Sequence, residues 1–157
     1  MMVGRLDRAE EDAMTSIQLV FDTADPDREA QFWAEALGYQ LQPPPDGHET
    51  WEAFLRAQGI PEERWNDASA IVDPGGKRPR IFFQRVPEGK TAKNRMHMDL
   101  NVGGGREVPL EERKRHVDAE VTRLKALGAT DERGSTERDG EYWVRMNDPE
   151  GNEFCVQ

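Results

Sequence analysis

Residues 16–21, Ser16-Ile17-Gln18-Leu19-Val20-Phe21, read as a strand that runs into a helix. Asp25 is placed to cap that helix and Pro26 to take its first position, where the missing N–H costs nothing. Ala30, Trp33, Ala34 and Leu37 recur at helical spacing and form one apolar face, and Gly38 stands where a left-handed residue closes a helix. Farther along, residues 96–102 alternate apolar and polar side chains as a half-buried strand does. The loop Gly103-Gly104-Gly105 then leads to a helix starting near Pro109, with Val117, Val121 and Leu124 as its buried stripe. Further strands are predicted at 39–41, 68–72 and 80–86, and again at 129–133, 141–146 and 152–156.

The two halves repeat one another. Both helices close on Ala-Leu-Gly, at Ala36-Leu37-Gly38 and Ala126-Leu127-Gly128, and both halves carry Asp-Pro-x-Gly before their last strand, at Asp73 and at Asp148. That motif is a turn signal by itself. Its recurrence after equivalent helices predicts an α+β fold of two tandem βαβββ modules, 15–86 and 95–157, behind a polar lead-in at 1–14. The first module carries a helical insert at 43–67. A proline-rich stretch, Pro43-Pro44-Pro45, precedes Thr50 as a cap, Trp51, Phe54 and Leu55 share a face, Gly59 ends the helix, and residues 61–65 add one turn. An insert bearing Trp51 and Trp65 needs apolar surface, either its own sheet or a second subunit.

Composition narrows the partners. The chain has 157 residues and a formal net charge of −10, which repels phosphate backbones and anionic lipid. Neither nucleic acid nor membrane is expected, and the lead-in lacks the apolar run of a signal peptide or membrane helix. One cysteine, Cys155, allows no intrachain disulfide and fits a reducing cytoplasm.

Three stretches carry a family resemblance: Asp25 with Phe32-Trp33-Ala34-Glu35-Ala36-Leu37-Gly38-Tyr39, Met96-His97-Met98-Asp99-Leu100, and Asp148-Pro149-Glu150-Gly151-Asn152-Glu153-Phe154. With these the chain resembles the vicinal oxygen chelate superfamily of glyoxalases, bleomycin-resistance proteins and extradiol dioxygenases, and within it the glyoxalase-like branch. The resemblance implies that the modules form a cupped, eight-stranded mixed sheet with helices outside. It also implies that metal-dependent members draw ligands from the first and last strand of each module. Mapped by motif, those positions are Gln18, Gln84, His97 and Cys155, with Glu153 two residues short of the place where the family's glutamate stands. Two neutral amides make a poor site for a divalent ion, and one histidine falls short of an iron oxygenase's two histidines and carboxylate. No cofactor is therefore expected, and dioxygenase chemistry is not. If a divalent ion (Zn, Ni, Mn or Fe) were held, Gln18, Gln84 and His97 would bind it with Cys155 or Glu153.

His97, Asp99 and Asn101 share one strand face, a polar stripe that lines a wet cavity or, with His97 as base beside Asp99, handles protons. Gln18, Gln84, His97 and Cys155 are candidate ligand contacts, and Trp51, Trp65 and Trp143 are candidate aromatic walls. Cys155 reads as a small packing residue more readily than as a nucleophile, and His116 with Glu120 as a solvated helix face. The linker Lys90-Thr91-Ala92-Lys93-Asn94-Arg95 is locally basic, an ordinary connector or a rim for an anionic substrate. The expected function is binding of a small organic molecule, aromatic or anionic, in the cup between the modules without a metal. The alternative is a lyase or isomerase of the glyoxalase type, with or without a divalent metal, with His97 and Asp99 catalytic. Relatives that dimerise and the tryptophan-bearing insert point to a homodimer.

Overall fold

Helix α1, Pro26–Leu37, is bounded as its sequence dictates: the Asp25 side chain accepts from the Arg28 N–H, and Gly38 closes the helix at φ 68°. The structure, a computed structural model, describes residues 15–131 and 133–157, and the lead-in at 1–14 lies outside them. In the first module α1 is followed by β2 (Gln40–Leu41), the insert, β3 (Ala68–Val72) and β4 (Ile81–Arg85). These strands join β1 (Leu19–Thr23) in a sheet of order β1-β4-β3-β2. In the second module β5 (Asp99–Leu100) and helix α3 (Leu110–Leu127) precede β6 (Ser135–Arg138), β7 (Glu141–Asn147) and β8 (Glu153–Val156), in the order β5-β8-β7-β6. In both sheets the first strand pairs parallel with the last and the remaining pairs are antiparallel. The α+β architecture of two tandem modules is thus present, with its eight strands standing as two four-stranded sheets.

Two expectations shift. Among the described residues of 129–133 no ladder forms: Thr130 makes only an isolated bridge with Asn147, and the Asp131 carboxylate accepts the N–H groups of Arg133 and Gly134. That local turn withholds the backbone from a ladder, so β6 starts beyond Gly134, whose φ is 69°. The strand at 96–102 narrows to Asp99–Leu100, because it pairs only with the short β8. Pairing still reaches past both ends, with Cys155 N–H on the Met98 carbonyl and the N–H groups of Val102 and Gly103 on the Gln157 carbonyl. The insert forms α2 (Trp51–Ala57), capped by the Thr50 hydroxyl, and a 3₁₀ segment (Glu62–Asp67). No residue of either is fully buried. Trp51 stays exposed with its indole N–H on the Gln42 carbonyl, while Trp65 is half-buried beneath the Arg56 guanidinium. Among the described residues no helix is long and apolar enough to cross a membrane.

One continuous core spans both modules. Trp33 of α1 meets Phe21 of β1 at 5.5 Å between ring centroids and Phe154 of β8 at 5.1 Å. Its indole N–H donates to Asp148, 3.2 Å away, whose carboxylate also takes the N–H groups of Glu150 and Asn152 and the Asn152 side-chain amide. Burying a side chain of that size contributes on the order of 3 kcal/mol, so this contact is a large part of what holds the modules together.

The N-terminus of α1 completes the joint. Glu150, third residue of the second Asp-Pro-x-Gly turn, accepts from the backbone N–H groups of Ala24 and Asp25 at 2.9 Å and from the Thr23 hydroxyl at 2.5 Å. Asn66 of the insert adds a contact to Asp27 N–H and another to the Asp25 carboxylate. A carboxylate from one module thus satisfies unpaired donors at the positive end of the other module's helix. Glu29, one turn into α1, is fully buried, and no N–H or O–H group among the described residues reaches either of its oxygens. Burial, with the charges of Asp148 and Glu150, pushes its carboxyl up to about 9, so at neutral pH it carries a proton it can donate to Asp148.

Replacing Glu150 by Ala is expected to destabilise the protein by about 1–3 kcal/mol, read from urea unfolding, because it strands the buried Thr23 hydroxyl and removes the acceptor of two backbone N–H groups. The Glu29 proton sets a pH dependence. The native state keeps it to about 9 while the unfolded chain releases it near 4.5, so this group erodes stability as pH rises between those values and adds nothing further above. Glu29→Gln should therefore unfold with a flatter pH profile than the parent between pH 5 and 9. Parallel profiles would rule out a buried neutral Glu29.

Candidate functional site

Alternation along β5 and its approach sends Met98 and Leu100 toward the helix side and His97, Asp99 and Asn101 to the opposite, open face. On β8 the same rule buries Phe154 and Val156 and turns Cys155 to the open face, where register places it beside Asp99. His97 Nε2 lies 3.4 Å from Asp99 Oδ1, and one donor atom each from His97, Asp99 and Cys155 fall within 4.8 Å of one another. The second oxygen of Asp99 accepts from the Gln157 side-chain amide at 3.3 Å, and that amide also donates to Asn101 at 2.9 Å. Burial and the Asp99 carboxylate raise the Cys155 thiol above its ordinary range. Arg145 stands opposite Cys155 on β7. A cavity of about 580 Å³ opens over this face, lined by His97, Asp99, Cys155, Gln157, Trp143 and Arg113 among others.

The first module presents a different face. Parallel pairing sets Val20 against Phe82 and Asp22 against Gln84. If Gln18 is the counterpart of His97, then Val20 corresponds to Asp99, Phe82 to Cys155 and Gln84 to Gln157. The side chains agree: Gln84 donates to Asp22 at 2.8 Å as Gln157 does to Asn101. The counterpart of Cys155 is thus apolar Phe82, two residues before Gln84, and the chain's longer hairpin there hides that offset from motif counting. Gln18 is engaged as well, accepting from Arg80 at 2.6 Å, while Arg80 also donates to Gln42 and lies over the Phe82 ring.

Of the predicted residues, the structure therefore brings His97, Asp99, Cys155 and Trp143 to one cavity. Gln18, Gln84, Trp51 and Trp65 line neither that cavity nor the one between the modules. Gln18 and Gln84 do not join His97 and Cys155 at one cavity: Gln18 accepts from Arg80 and Gln84 donates to Asp22 within the first sheet. Glu153 points elsewhere: it accepts the Asn94 N–H at 2.9 Å and pairs with Lys90 at 3.1 Å, contacts that hold its carboxyl down to about 2. That pairing also occupies the first cation of the basic linker. His116 and Glu120 do not act together, His116 facing Glu112 at 4.0 Å and Glu120 binding Arg123.

A cavity of about 530 Å³ lies between the modules, where β1 faces the linker and the approach to β5. Trp33, Phe154, Phe21 and Val20 supply apolar lining, while Lys90, His97 and the carboxylates of Asp22, Glu88, Glu150 and Glu153 supply polar groups. His97 lines both cavities. Gln157, Arg145 and Arg80 escaped the sequence reading. Alternation from Trp143 would have flagged Arg145, but no local signal announces Arg80 or Gln157.

The model of the glyoxalase-like domain family matches residues 18–157. Solved structures of similar fold include a glyoxalase/bleomycin resistance protein/dioxygenase family enzyme from Burkholderia phytofirmans, 18% identical, with a TM-score of 0.57 over 88% of this chain and 94% of that one. A possible glyoxalase from Bacillus cereus is 17% identical, with a TM-score of 0.56 over 92% and 99%. A mutant of the fosfomycin resistance protein FosX from Listeria monocytogenes, complexed with Mn(II) and a dihydroxypropylphosphonic acid, is 12% identical, with a TM-score of 0.55 over 92% and 89%. At these identities the likeness is one of fold. A search of curated proteins found no match.

Glu153 fastens the linker that walls the inter-module cavity, so Glu153→Gln should loosen it. Hydrogen exchange at the Asn94 amide is expected to accelerate at least tenfold while exchange in α3 stays unchanged. Equal protection of Asn94 in both proteins would show that the linker is held by other means.

Proposed function

The chain belongs to the glyoxalase-like domain family, and on that premise we propose that it binds a small organic molecule in the cavity between its two modules. The observation that carries this reading is the cavity itself. Its volume of about 530 Å³ is within the range of small-molecule sites, roughly 300–1,000 Å³. Its mixed lining supports it further, apolar Val20, Phe21, Trp33 and Phe154 together with polar groups from both modules. The ligand is aromatic or anionic in this reading: half-buried Phe21 offers an aromatic contact and His97 a hydrogen bond, and Lys90 would meet an anion by leaving Glu153. Neither nucleic acid nor membrane is a partner in this reading, and the protein works in the cytoplasm as a homodimer.

A second reading has one specific observation behind it, the 3.4 Å approach of His97 Nε2 to Asp99 Oδ1. A carboxylate at that distance orients an imidazole, and an oriented imidazole suits proton transfer in a lyase or isomerase. His97 would move the proton at Nε2 or, held through that atom by Asp99, at Nδ1. Any metal chemistry of the family's kind would need ligands other than the amides of the first module.

The test is a thermal-shift screen of aromatic and carboxylate-bearing compounds, followed by titration of tryptophan fluorescence, to which Trp33 in the cavity lining contributes. A ligand of the proposed kind raises the melting temperature of the parent, and Val20→Arg, at a half-exposed position on the cavity wall, weakens its binding at least tenfold. Gln84→Ala, outside the cavity, leaves binding unchanged. If no compound stabilises the parent, or if Val20→Arg binds equally well, this cavity is not the site.

A further inference from the structure

We propose that the second module alone forms a zinc site from His97, Asp99 and Cys155, with its fourth coordination position open to the cavity above the sheet. Zinc–ligand bonds of about 2.0–2.3 Å put pairs of ligands roughly 3–4 Å apart around a tetrahedral ion. His97 Nε2 and Asp99 Oδ1 already meet that requirement at 3.4 Å, and the Cys155 sulfur completes a set whose members lie within 4.8 Å. A small side-chain rotation closes the set, and none of the three is locked in the core: His97 and Asp99 are exposed and Cys155 is half-buried.

Three features make this an arrangement rather than a chance encounter of surface groups. The backbone fixes it, because Cys155 N–H on the Met98 carbonyl holds β8 in the register that opposes Cys155 to Asp99. An outer partner orients it: Gln157 takes one oxygen of Asp99 and leaves the other toward His97. The first module cannot share in it, since Phe82 occupies the position equivalent to Cys155 and Gln18 is bound to Arg80.

The donor set also selects the ion. A thiolate with an imidazole favours zinc over harder ions such as manganese or magnesium, and the thiolate and carboxylate together neutralise its charge. Three protein ligands with a vacant fourth position are the pattern of zinc sites that bind or activate a small molecule. Arg145, opposite Cys155, and Trp143 flank that position, so the group it takes is an anion such as a carboxylate, carried on an apolar body. This inference stands apart from the reading of the inter-module cavity, and its test uses the metal alone.

Protein freed of metal by chelation is titrated with Co(II) and then with Zn(II). The expected result is one cobalt per chain, with a thiolate-to-cobalt charge-transfer band in the near ultraviolet that zinc abolishes at one equivalent. Cys155→Ser removes the band, His97→Ala and Asp99→Ala each weaken zinc binding at least tenfold, and Gln157→Ala weakens it about 10–100-fold. Gln18→Ala and Gln84→Ala have no effect. The proposal is overturned if no charge-transfer band appears in folded parent protein, if Asp99→Ala leaves affinity unchanged, or if Gln84→Ala abolishes binding. Circular dichroism on each variant separates lost ligands from lost fold, and His97→Ala, at an exposed position, serves where Cys155→Ser does not fold.

Discussion

The carboxylate of Glu150 at the N-terminus of α1 is the contact on which the relation between the modules depends. Free N–H groups at the start of a helix need acceptors, and those of α1 find them in three places: its own Asp25, Asn66 of the insert and Glu150 of the other module. Trp33, one face of the same helix, then carries the packing of Phe21 and Phe154 into a common core. Helix α1 is consequently shared property: its polar end and its aromatic face are both completed by residues more than a hundred positions away. The inter-module cavity exists because this joint fixes β1 and the approach to β5 on either side of one space. Glu29 and Asp148 sit inside the joint, where a proton replaces the cation that two buried carboxyls would otherwise need.

Much of this was legible in the chain, and the reasons are local. The caps at Asp25, Thr50, Gly38 and Gly128, the apolar stripes of both helices and the repeated Asp-Pro-x-Gly turns are all encoded within a few residues of where they act. From them the two modules and the order of their elements follow. The strand expected at 129–133 misled because its apolar start, Ala129, packs without pairing, and Asp131 then diverts the backbone into a turn. Parallel register is not encoded locally at all. It depends on hairpin length across a connection of some fifty residues, which is why Gln84 seemed to match Cys155 when its counterpart is Gln157.

The site shows the same division. His97, Asp99 and Cys155 could each be picked out, two from strand alternation and one from its motif position, but their meeting is a consequence of β5 lying beside β8. Trp51 and Trp65 drew attention by their size, yet they belong to an insert with no fully buried residue and line neither cavity. Symmetry of sequence has also parted from symmetry of chemistry. Both sheets keep a glutamine clasp, Gln84 on Asp22 and Gln157 on Asn101. Beyond it the first sheet offers Phe82 under Arg80, and the second offers an imidazole, a carboxylate and a thiol on one face.

The third position of the repeated turn gives that divergence a direction. In the first module it is Gly75, where the nearest atoms an added side chain would meet are those of the Asp73 carboxylate, at ordinary contact distance. In the second it is Glu150, and the same turn becomes a fastening between modules. The two halves are therefore no longer interchangeable in their roles at the joint. A tandem duplication begins as two equal copies, either of which could lead. Once one copy's turn has become part of the other's helix cap, the copies are no longer equivalent, and a first module paired with a second copy of itself would lose that carboxylate, because its own turn offers Gly75 in its place.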